Sequence, residues 1–172
     1  MLINKQLAQA DIIALNPCGL GGDDNGTNYT PMRIARLFSG ADTITLGDVL
    51  TMDEISIADR LWVVLKKGVL PEKVRVGLGC DYAERVLFIA ESWAGNRGRS
   101  RLALETTRKW LRGEATDEDR SAYADAADAA SHAADAASAA AFHAAAYVAE
   151  REWQLARTIK VLSEAAQEGG AA

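Results

Sequence analysis

An alanine-rich segment constrains the fold of this 172-residue chain more than any other feature. More than half of residues 122–150 are alanine, and neither glycine nor proline occurs between residues 114 and 168. Alanine has the highest helix propensity because its side chain loses no conformational entropy in a helix. We therefore predict one long C-terminal helix that begins with Thr116 as its N-cap and ends at Gly169.

Polar residues in this segment recur at helical spacing. A stripe that includes Asp125, Asp128 and Asp135 lies opposite a stripe of alanines that continues through Val148. A single register predicts one continuous helix, in which roughly 50 residues would span about 75 Å. Because this is long for a small domain, a kink near residues 142–147 is the alternative.

Before the alanine segment, apolar residues at helical spacing predict several shorter helices. The predicted helices comprise residues 4–15, one that starts at Pro31 after the N-cap Thr30, one capped by Ser56, one from Pro71 to Trp93, and residues 100–111. Thr45 precedes a further short helical turn at residues 46–50. Gly77 and Gly79 could divide the helix that follows Pro71 into two pieces. No alternating pattern indicates a secure strand.

The predicted fold is all-α, a helical bundle with one long alanine-rich C-terminal helix. Residues 1–113 would form an N-terminal domain of short helices, and residues 114–172 the long acidic helix packed on it. A single domain that contains both parts is the alternative.

Charge is distributed unevenly along the chain. Residues 1–113 carry 15 basic and 13 acidic side chains, whereas residues 114–172 carry 4 basic and 11 acidic ones. The acidic surplus lies at the start of the long helix, so we do not expect it to bind nucleic acid directly. It is a candidate surface for a basic partner protein, and the predicted partner-binding residues are Asp117, Glu118, Asp119, Asp125, Asp128 and Asp135.

A basic segment precedes this acidic surface. It contains Arg97, Arg99, Arg101, Arg108, Lys109 and Arg112. Such a cluster could contact phosphate groups, or it could form a solvated helix face beside the acidic start of the long helix. The sequence leaves both interpretations open, and the second is favoured.

No pattern of residues points to catalysis, a cofactor or a metal site. Cys18 and Cys80 lack CxxC spacing and are predicted to be free thiols. Acidic neighbours disfavour a thiolate at Cys80, which is therefore predicted to be a buried helix cysteine. His132 lies one turn from Asp128 and Asp135, but a single helix offers too few ligands for an ion. We therefore predict a protein that is not an enzyme and binds neither cofactor nor metal.

Sequence segments distributed over most of the chain from about residue 45 onwards carry a family resemblance. In order they are LGDVL (46–50), RLWVVL (60–65), CDYAERVL (80–87), LETTRKWLRGEATDED (104–119) and AEREWQLARTIKVL (149–162). Together with the alanine–aspartate helix they resemble alanine-rich helical proteins of phages and bacteria, some of which carry a putative-immunity-protein label. The resemblance is structural in type and implies no catalytic residues.

This resemblance implies a small accessory protein of a phage or mobile element, and an anti-CRISPR inhibitor is the leading candidate. Its acidic stripe would occupy a basic surface on a host protein, such as a subunit of a CRISPR-Cas effector. The alternative is a structural, self-associating protein that forms a homodimer through its alanine face. The N-terminus does not have the pattern of a signal peptide, and no apolar run is long enough to span a bilayer. We expect a protein of the host bacterial cytoplasm with no membrane partner.

Overall fold

The computed structural model describes residues 2–15, 17, 29–94, 99–122 and 144–165. Of these residues 70% are helical, in eight α-helices, and one pair of short strands is present among them. The predicted all-α class is therefore confirmed. The expectation that the chain has no strand is wrong, because residues 6–8 and 43–45 form a small two-stranded sheet.

A 3-10 turn (Leu2–Asn4) is followed by β1 (Gln6–Ala8), α1 (Gln9–Ala14), α2 (Pro31–Leu37), β2 (Thr43–Thr45), α3 (Leu46–Thr51), α4 (Ile57–Leu65), α5 (Glu72–Ala94), α6 (Arg99–Leu111), α7 (Asp117–Ala122) and α8 (Ala144–Glu164). None of the described helices combines the length and the apolar character that crossing a membrane requires.

The chain divides into two compact units. Unit 1 comprises Met1–Leu70 and Leu155–Ala172, and unit 2 comprises Pro71–Gln154, so residues of α8 belong to both. The division of the chain near residue 113 that the sequence suggested stays a prediction.

The small sheet of unit 1 replaces the first half of a predicted helix. Strands β1 and β2 are antiparallel, with Leu7 opposite Ile44. The side chain of Leu7 is buried, so pairing in the sheet also places an apolar residue in the core. The β-branched residues of β2 favour an extended backbone, and this non-local pairing outweighs the strong helix propensity of Gln6, Leu7 and Ala8.

Short polar side chains define where three helices of unit 1 begin. The Oγ1 atom of Thr30 accepts a hydrogen bond from the Arg33 amide at 3.1 Å, and Ser56 accepts one from the Asp59 amide in the same way. Thr45 caps α3 reciprocally: its Oγ1 atom accepts from the Asp48 amide at 3.0 Å, and Asp48 Oδ2 accepts from the Thr45 amide at 2.7 Å. Each cap satisfies an amide that would otherwise lack a partner in the first turn, and all three predicted starts are confirmed.

The core of unit 1 is apolar, with one buried arginine at its edge. Ile34, Leu46, Leu50 and Val64 are almost completely inaccessible to solvent. Arg60 is also buried, and its guanidinium donates to the carbonyl oxygens of Leu50 (3.1 Å) and Ile55 (3.0 Å). It thereby satisfies backbone acceptors of the α3–α4 connection that the core would otherwise leave unpaired.

In unit 2, α5 packs against α6. Helix α5 is continuous through Gly77 and Gly79, so the helix predicted after Pro71 is confirmed as one piece. Leu78 and Cys80 of α5 and Ala103 of α6 are buried.

The predicted long helix is supported at its two described ends. Helix α7 covers Asp117–Ala122 and α8 covers Ala144–Glu164. Residues 123–143 and 166–172 lie outside the described residues, and so does part of the predicted kink. The continuity of the helix between its two ends stays a prediction.

Candidate functional site

The connection between α6 and α7 sets the start of the acidic segment. Helix α6 ends in a Schellman motif, in which the Gly113 amide donates to the Trp110 carbonyl and the Glu114 amide donates to the Lys109 carbonyl, both at 2.9 Å. Gly113 has a φ of 77°, a left-handed conformation that a residue without a Cβ adopts easily. The chain therefore turns sharply here, and α7 begins soon afterwards.

Thr116 and Asp119 form a reciprocal cap at the start of α7. Thr116 Oγ1 accepts from the Asp119 amide at 3.1 Å, and Asp119 Oδ2 accepts from the Thr116 amide at 3.0 Å and from its hydroxyl at 3.0 Å. The hydrogen bond from the Thr116 amide lowers the pKa of Asp119. Asp119 is therefore a charged group in a fixed position at neutral pH.

Asp117 is positioned by the indole ring of Trp110. Trp110 Nε1 donates to Asp117 Oδ1 at 2.7 Å, which ties the first turn of α7 to the last turn of α6. The ammonium of Lys73 lies 5.6 Å from the centroid of the same ring, within the range of a cation–π interaction. Asp117 remains exposed to solvent, so its carboxylate is both anchored and accessible.

Glu118 and Glu114 complete an exposed group of four carboxylates, which we call the α7 acidic patch: Glu114, Asp117, Glu118 and Asp119. Glu114 accepts two hydrogen bonds from the Arg112 guanidinium, at 2.9 and 2.7 Å, and these bonds lower its pKa. Glu118 is exposed, and the described residues offer its carboxylate no partner. Hydrogen bonds therefore hold three of the four carboxylates of the α7 acidic patch in place.

The structure brings together three of the six predicted partner-binding residues. Asp117, Glu118 and Asp119 share the first turn of α7, whereas Asp125, Asp128 and Asp135 lie outside the described residues. Sequence reasoning missed Trp110 and Glu114 as members of this site. The sequence offered one signal for this contact, the helix-ending Gly113 that lies between Trp110 and Asp117. The hydrogen bond between Trp110 and Asp117 itself depends on how the turn folds.

The basic segment before α7 forms ion pairs within unit 2. Arg108 pairs with Glu84 through two hydrogen bonds, at 3.0 and 2.9 Å, and with Asp81 at 2.6 Å. The hydrogen bonds to Glu84, and then those to Asp81, raise the pKa of Arg108. Arg112 pairs with Glu114 in the α7 acidic patch.

Other basic residues of the segment follow the same pattern. Lys109 pairs with Glu105, and Arg101 also has a partner. Carboxylates therefore neutralise Arg108, Lys109 and Arg112, whereas Arg97 lies outside the described residues. This favours the interpretation of a charge-paired helix face over that of a phosphate-binding surface.

Cys80 lies beside this ion-pair network and is buried. Burial raises the pKa of its thiol to about 11, and the neighbouring Arg108 only partly offsets the effect. A thiol with this pKa is almost fully protonated at neutral pH, and the thiolate is the reactive form. The prediction of a buried helix cysteine is confirmed.

The first part of α8 packs onto α5 through an aromatic and ionic cluster in unit 2. The Arg85 guanidinium lies 4.4 Å from the centroid of the Trp153 ring and forms an ion pair with Glu150. Tyr82 meets Trp153 edge to face, with 6.2 Å between ring centroids, and its hydroxyl donates to the Gln154 carbonyl at 3.4 Å. Trp153 therefore anchors this part of α8 on α5 within the unit.

No group of three histidine, cysteine or acidic side chains in the described parts of the chain is arranged to hold a metal ion. The weak metal candidate in the sequence, His132 with Asp128 and Asp135, lies outside the described residues.

Comparison of the chain with protein-family models, curated proteins and solved structures finds no match. The resemblance to alanine-rich phage and bacterial proteins therefore stays a prediction.

Proposed function

We propose that this protein is a non-enzymatic inhibitor from a phage or mobile element that binds a basic surface of a host protein through its α7 acidic patch. The specific partner that the sequence resemblance suggests is a subunit of a CRISPR-Cas effector. In that case the carboxylates would occupy a surface that normally holds nucleic acid and would block its binding or cleavage.

The observation that supports the proposal best is the positioning of these carboxylates. Trp110 positions Asp117, Thr116 positions Asp119, and Arg112 positions Glu114. Charged side chains that are already ordered lose less conformational entropy on binding. A rigid set of exposed negative charges therefore suits a basic protein surface better than the same number of mobile side chains would.

Electrostatic recognition of this kind has a characteristic dependence on salt. Opposite charges steer the encounter between two proteins and mainly raise the association rate. Salt screens such exposed charges, with a Debye length of about 10 Å at 0.1 M. We therefore expect the complex to form fastest at low ionic strength and to weaken as salt is added.

The first experiment is a pull-down from host-cell lysate with the tagged protein, at low and then high salt, followed by a cleavage assay with each purified effector recovered. Recovery of an effector subunit that is lost at high salt, together with inhibited cleavage, supports the proposal. Recovery of a different basic nucleic-acid-binding protein would keep the electrostatic mode of binding and change the partner. If no effector is recovered and purified effectors cleave normally, the anti-CRISPR assignment is wrong.

A pair of variants tests whether the α7 acidic patch makes the contact. Glu118→Lys reverses an exposed charge in the first turn of α7 that accepts no hydrogen bond from the described residues, and Glu152→Lys reverses an exposed glutamate on α8 as the matched control. An exposed ion pair contributes up to about 1 kcal/mol, or about fivefold in Kd, so Glu118→Lys should weaken binding by about that factor. Equal effects of both variants would show that net charge, rather than this patch, drives binding.

Substitution of the remaining predicted residues extends this test. Reversal of Asp125, Asp128 and Asp135 to lysine should abolish inhibition if the acidic stripe continues along the helix. Full inhibition by that triple variant would confine the contact to the first turn of α7.

A second function, self-association, is favoured by one exposed apolar side chain. Val148 belongs to the predicted apolar stripe of the long helix, yet it is 49% exposed. In this alternative the stripe would pack against a second copy of the chain. Light scattering that gives the monomer mass at high concentration would rule it out, whereas a dimer that Val148→Lys dissociates would support it.

A further inference from the structure

An apolar cavity lies in unit 1, among α1, α2, α3 and α4. The empty space between its walls, including the part open to solvent, is about 590 Å³. Four isoleucines line it: Ile12, Ile34, Ile44 and Ile55. Apolar walls of this kind favour binding of an apolar group, because they remove its surface from water.

A single carboxylate interrupts the apolar lining. Asp59 lines the cavity beside Tyr29, and its Oδ2 atom accepts hydrogen bonds from the hydroxyls of Tyr29 and Ser56, both at 2.7 Å. No residue in the described ranges donates to Oδ1. The carboxylate is thus held by its first oxygen, and its second can still accept a hydrogen bond.

Two cations near the cavity lie over aromatic rings that line it. The Arg33 guanidinium lies 4.4 Å from the centroid of the Tyr29 ring, and the Lys66 ammonium lies 4.2 Å from that of Trp62. Neither cation is itself among the residues that line the cavity. A charged acceptor beside apolar walls is best satisfied by a cationic donor, because charge-assisted hydrogen bonds are the strong ones.

We propose that this cavity binds a compact apolar molecule that carries a protonated amine, with the apolar part among the isoleucines and the ammonium on Asp59 Oδ1. A neutral ligand of the same shape would fill the apolar space but would give Asp59 a weaker hydrogen bond. A carboxylate ligand would be repelled. The site belongs to unit 1 and does not depend on the partner-binding role proposed for the α7 acidic patch.

Methyl NMR of the full chain labelled at the isoleucine δ1 carbons tests the proposal, with benzylamine as the probe. We expect saturable shifts at Ile12, Ile34, Ile44 and Ile55, and none at Ile3, Ile57 and Ile159, which do not line the cavity. Benzyl alcohol and benzoate serve as ligands of matched size with no charge and with negative charge. Both the amine and the alcohol can donate a hydrogen bond to Asp59, but only the ammonium adds attraction between opposite charges. The amine should therefore bind about tenfold more tightly than the alcohol, because hydrogen bonds that carry charge on both partners are the strong ones.

Two variants separate the role of Asp59 from a general effect of charge. Asp59→Asn keeps the shape of the side chain and should remove the preference for the amine over the alcohol. Asp42→Asn removes the same charge from an exposed position of unit 1 and should leave the preference unchanged. The three control methyl signals report whether each variant is folded.

The proposal has clear failure points. If the cavity isoleucines show no saturable shift with the amine, the cavity is not a binding site for this class. If the alcohol or benzoate binds the wild-type protein as tightly as the amine, Asp59 does not select a cation. The wild-type comparison of ligands decides the question even if Asp59→Asn fails to fold.

Discussion

Helix α5 should become more stable when Gly79 is replaced by alanine. Gly79 is exposed in the middle of the helix, and a Cβ added there would meet no atom within 4 Å. The substitution therefore changes no packing and acts through the conformational entropy of the chain alone. Glycine in a helix interior is less favourable than alanine by about 0.8–1 kcal/mol, so we expect a gain of that size in the free energy of unfolding.

The neighbouring glycine provides a second measurement with nearly the same expectation. A Cβ at Gly77 would lie 3.9 Å from Leu111 Cδ1, which is ordinary van der Waals contact. Gly77→Ala should therefore gain the same entropic term plus a small dispersion term of about 0.1–0.2 kcal/mol. Side chains two residues apart in a helix do not face each other, so the effects of the two substitutions should be close to additive.

Gly113 supplies the matched control, because the space around it is equally open. A Cβ there would also meet nothing within 4 Å, but its φ is 77°. A left-handed conformation costs an ordinary residue about 1–2 kcal/mol, so Gly113→Ala should destabilise. Urea unfolding followed by circular dichroism measures all three variants. A destabilised Gly79→Ala, or a stabilised Gly113→Ala, would refute the reasoning from backbone conformation.

Further predictions concern a cap, a carboxylate, a thiol and a tyrosine. Thr45 Oγ1 accepts from the Asp48 amide at 3.0 Å, so Thr45→Ala should lower the free energy of unfolding in urea by about 1 kcal/mol. The hydrogen bond from the Thr45 amide lowers the pKa of Asp48, so this carboxylate stabilises the fold above its unfolded pKa of about 3.9. This stabilisation is lost as pH falls through the pKa of the folded state, which unfolding of the wild type and Asp48→Asn at pH 2–6 would show. The pKa of Cys80 is raised to about 11, so in a Cys18→Ser background Cys80 should react with a disulfide reagent at pH 8 about a hundredfold more slowly than a free thiol of ordinary pKa does. Rapid labelling of the native protein would contradict burial of the thiol. Burial, and then its hydrogen bond to Asp59, raises the pKa of Tyr29. The neutral phenol therefore stabilises the fold fully below its unfolded pKa of about 10, and this stabilisation falls as pH rises towards the pKa of the folded state. Tyr29→Phe should flatten this decline in unfolding experiments at pH 9–11.

The sequence predicted best those features whose partners lie close along the chain. Thr45, Ser56 and Thr116 each contact a residue three positions later, so their roles follow from a local pattern. Strand β1 was missed because its pairing with β2 joins residues far apart in sequence, and neither strand is long enough to show alternation. Long-range pairing of this kind overrides local propensity.

The same distinction explains how far the candidate site could be predicted. The surplus of acidic residues was visible in the sequence, but the contact of Trp110 with Asp117 was not, because it depends on the Schellman turn between them. Cys80 was predicted correctly as a buried helix cysteine, because its acidic neighbours in sequence disfavour a reactive thiolate. The ion pairs of Arg108 with Asp81 and Glu84 required the packing of α5 on α6, which a single sequence does not specify.

Two substitutions at the anchored carboxylate separate charge from positioning in the proposed interaction. Asp117→Asn removes the charge but keeps an oxygen that can accept from the indole of Trp110, whereas Trp110→Phe keeps the charge and removes the donor. If recognition depends on ordered carboxylates, both variants should weaken binding to the partner in a titration followed by calorimetry. Asp117→Asn should also reduce the dependence of Kd on salt, because it removes one charge, and Trp110→Phe should leave that dependence unchanged. Undiminished affinity in Trp110→Phe would show that the amount of negative charge is sufficient, and that its rigid placement does not contribute to recognition.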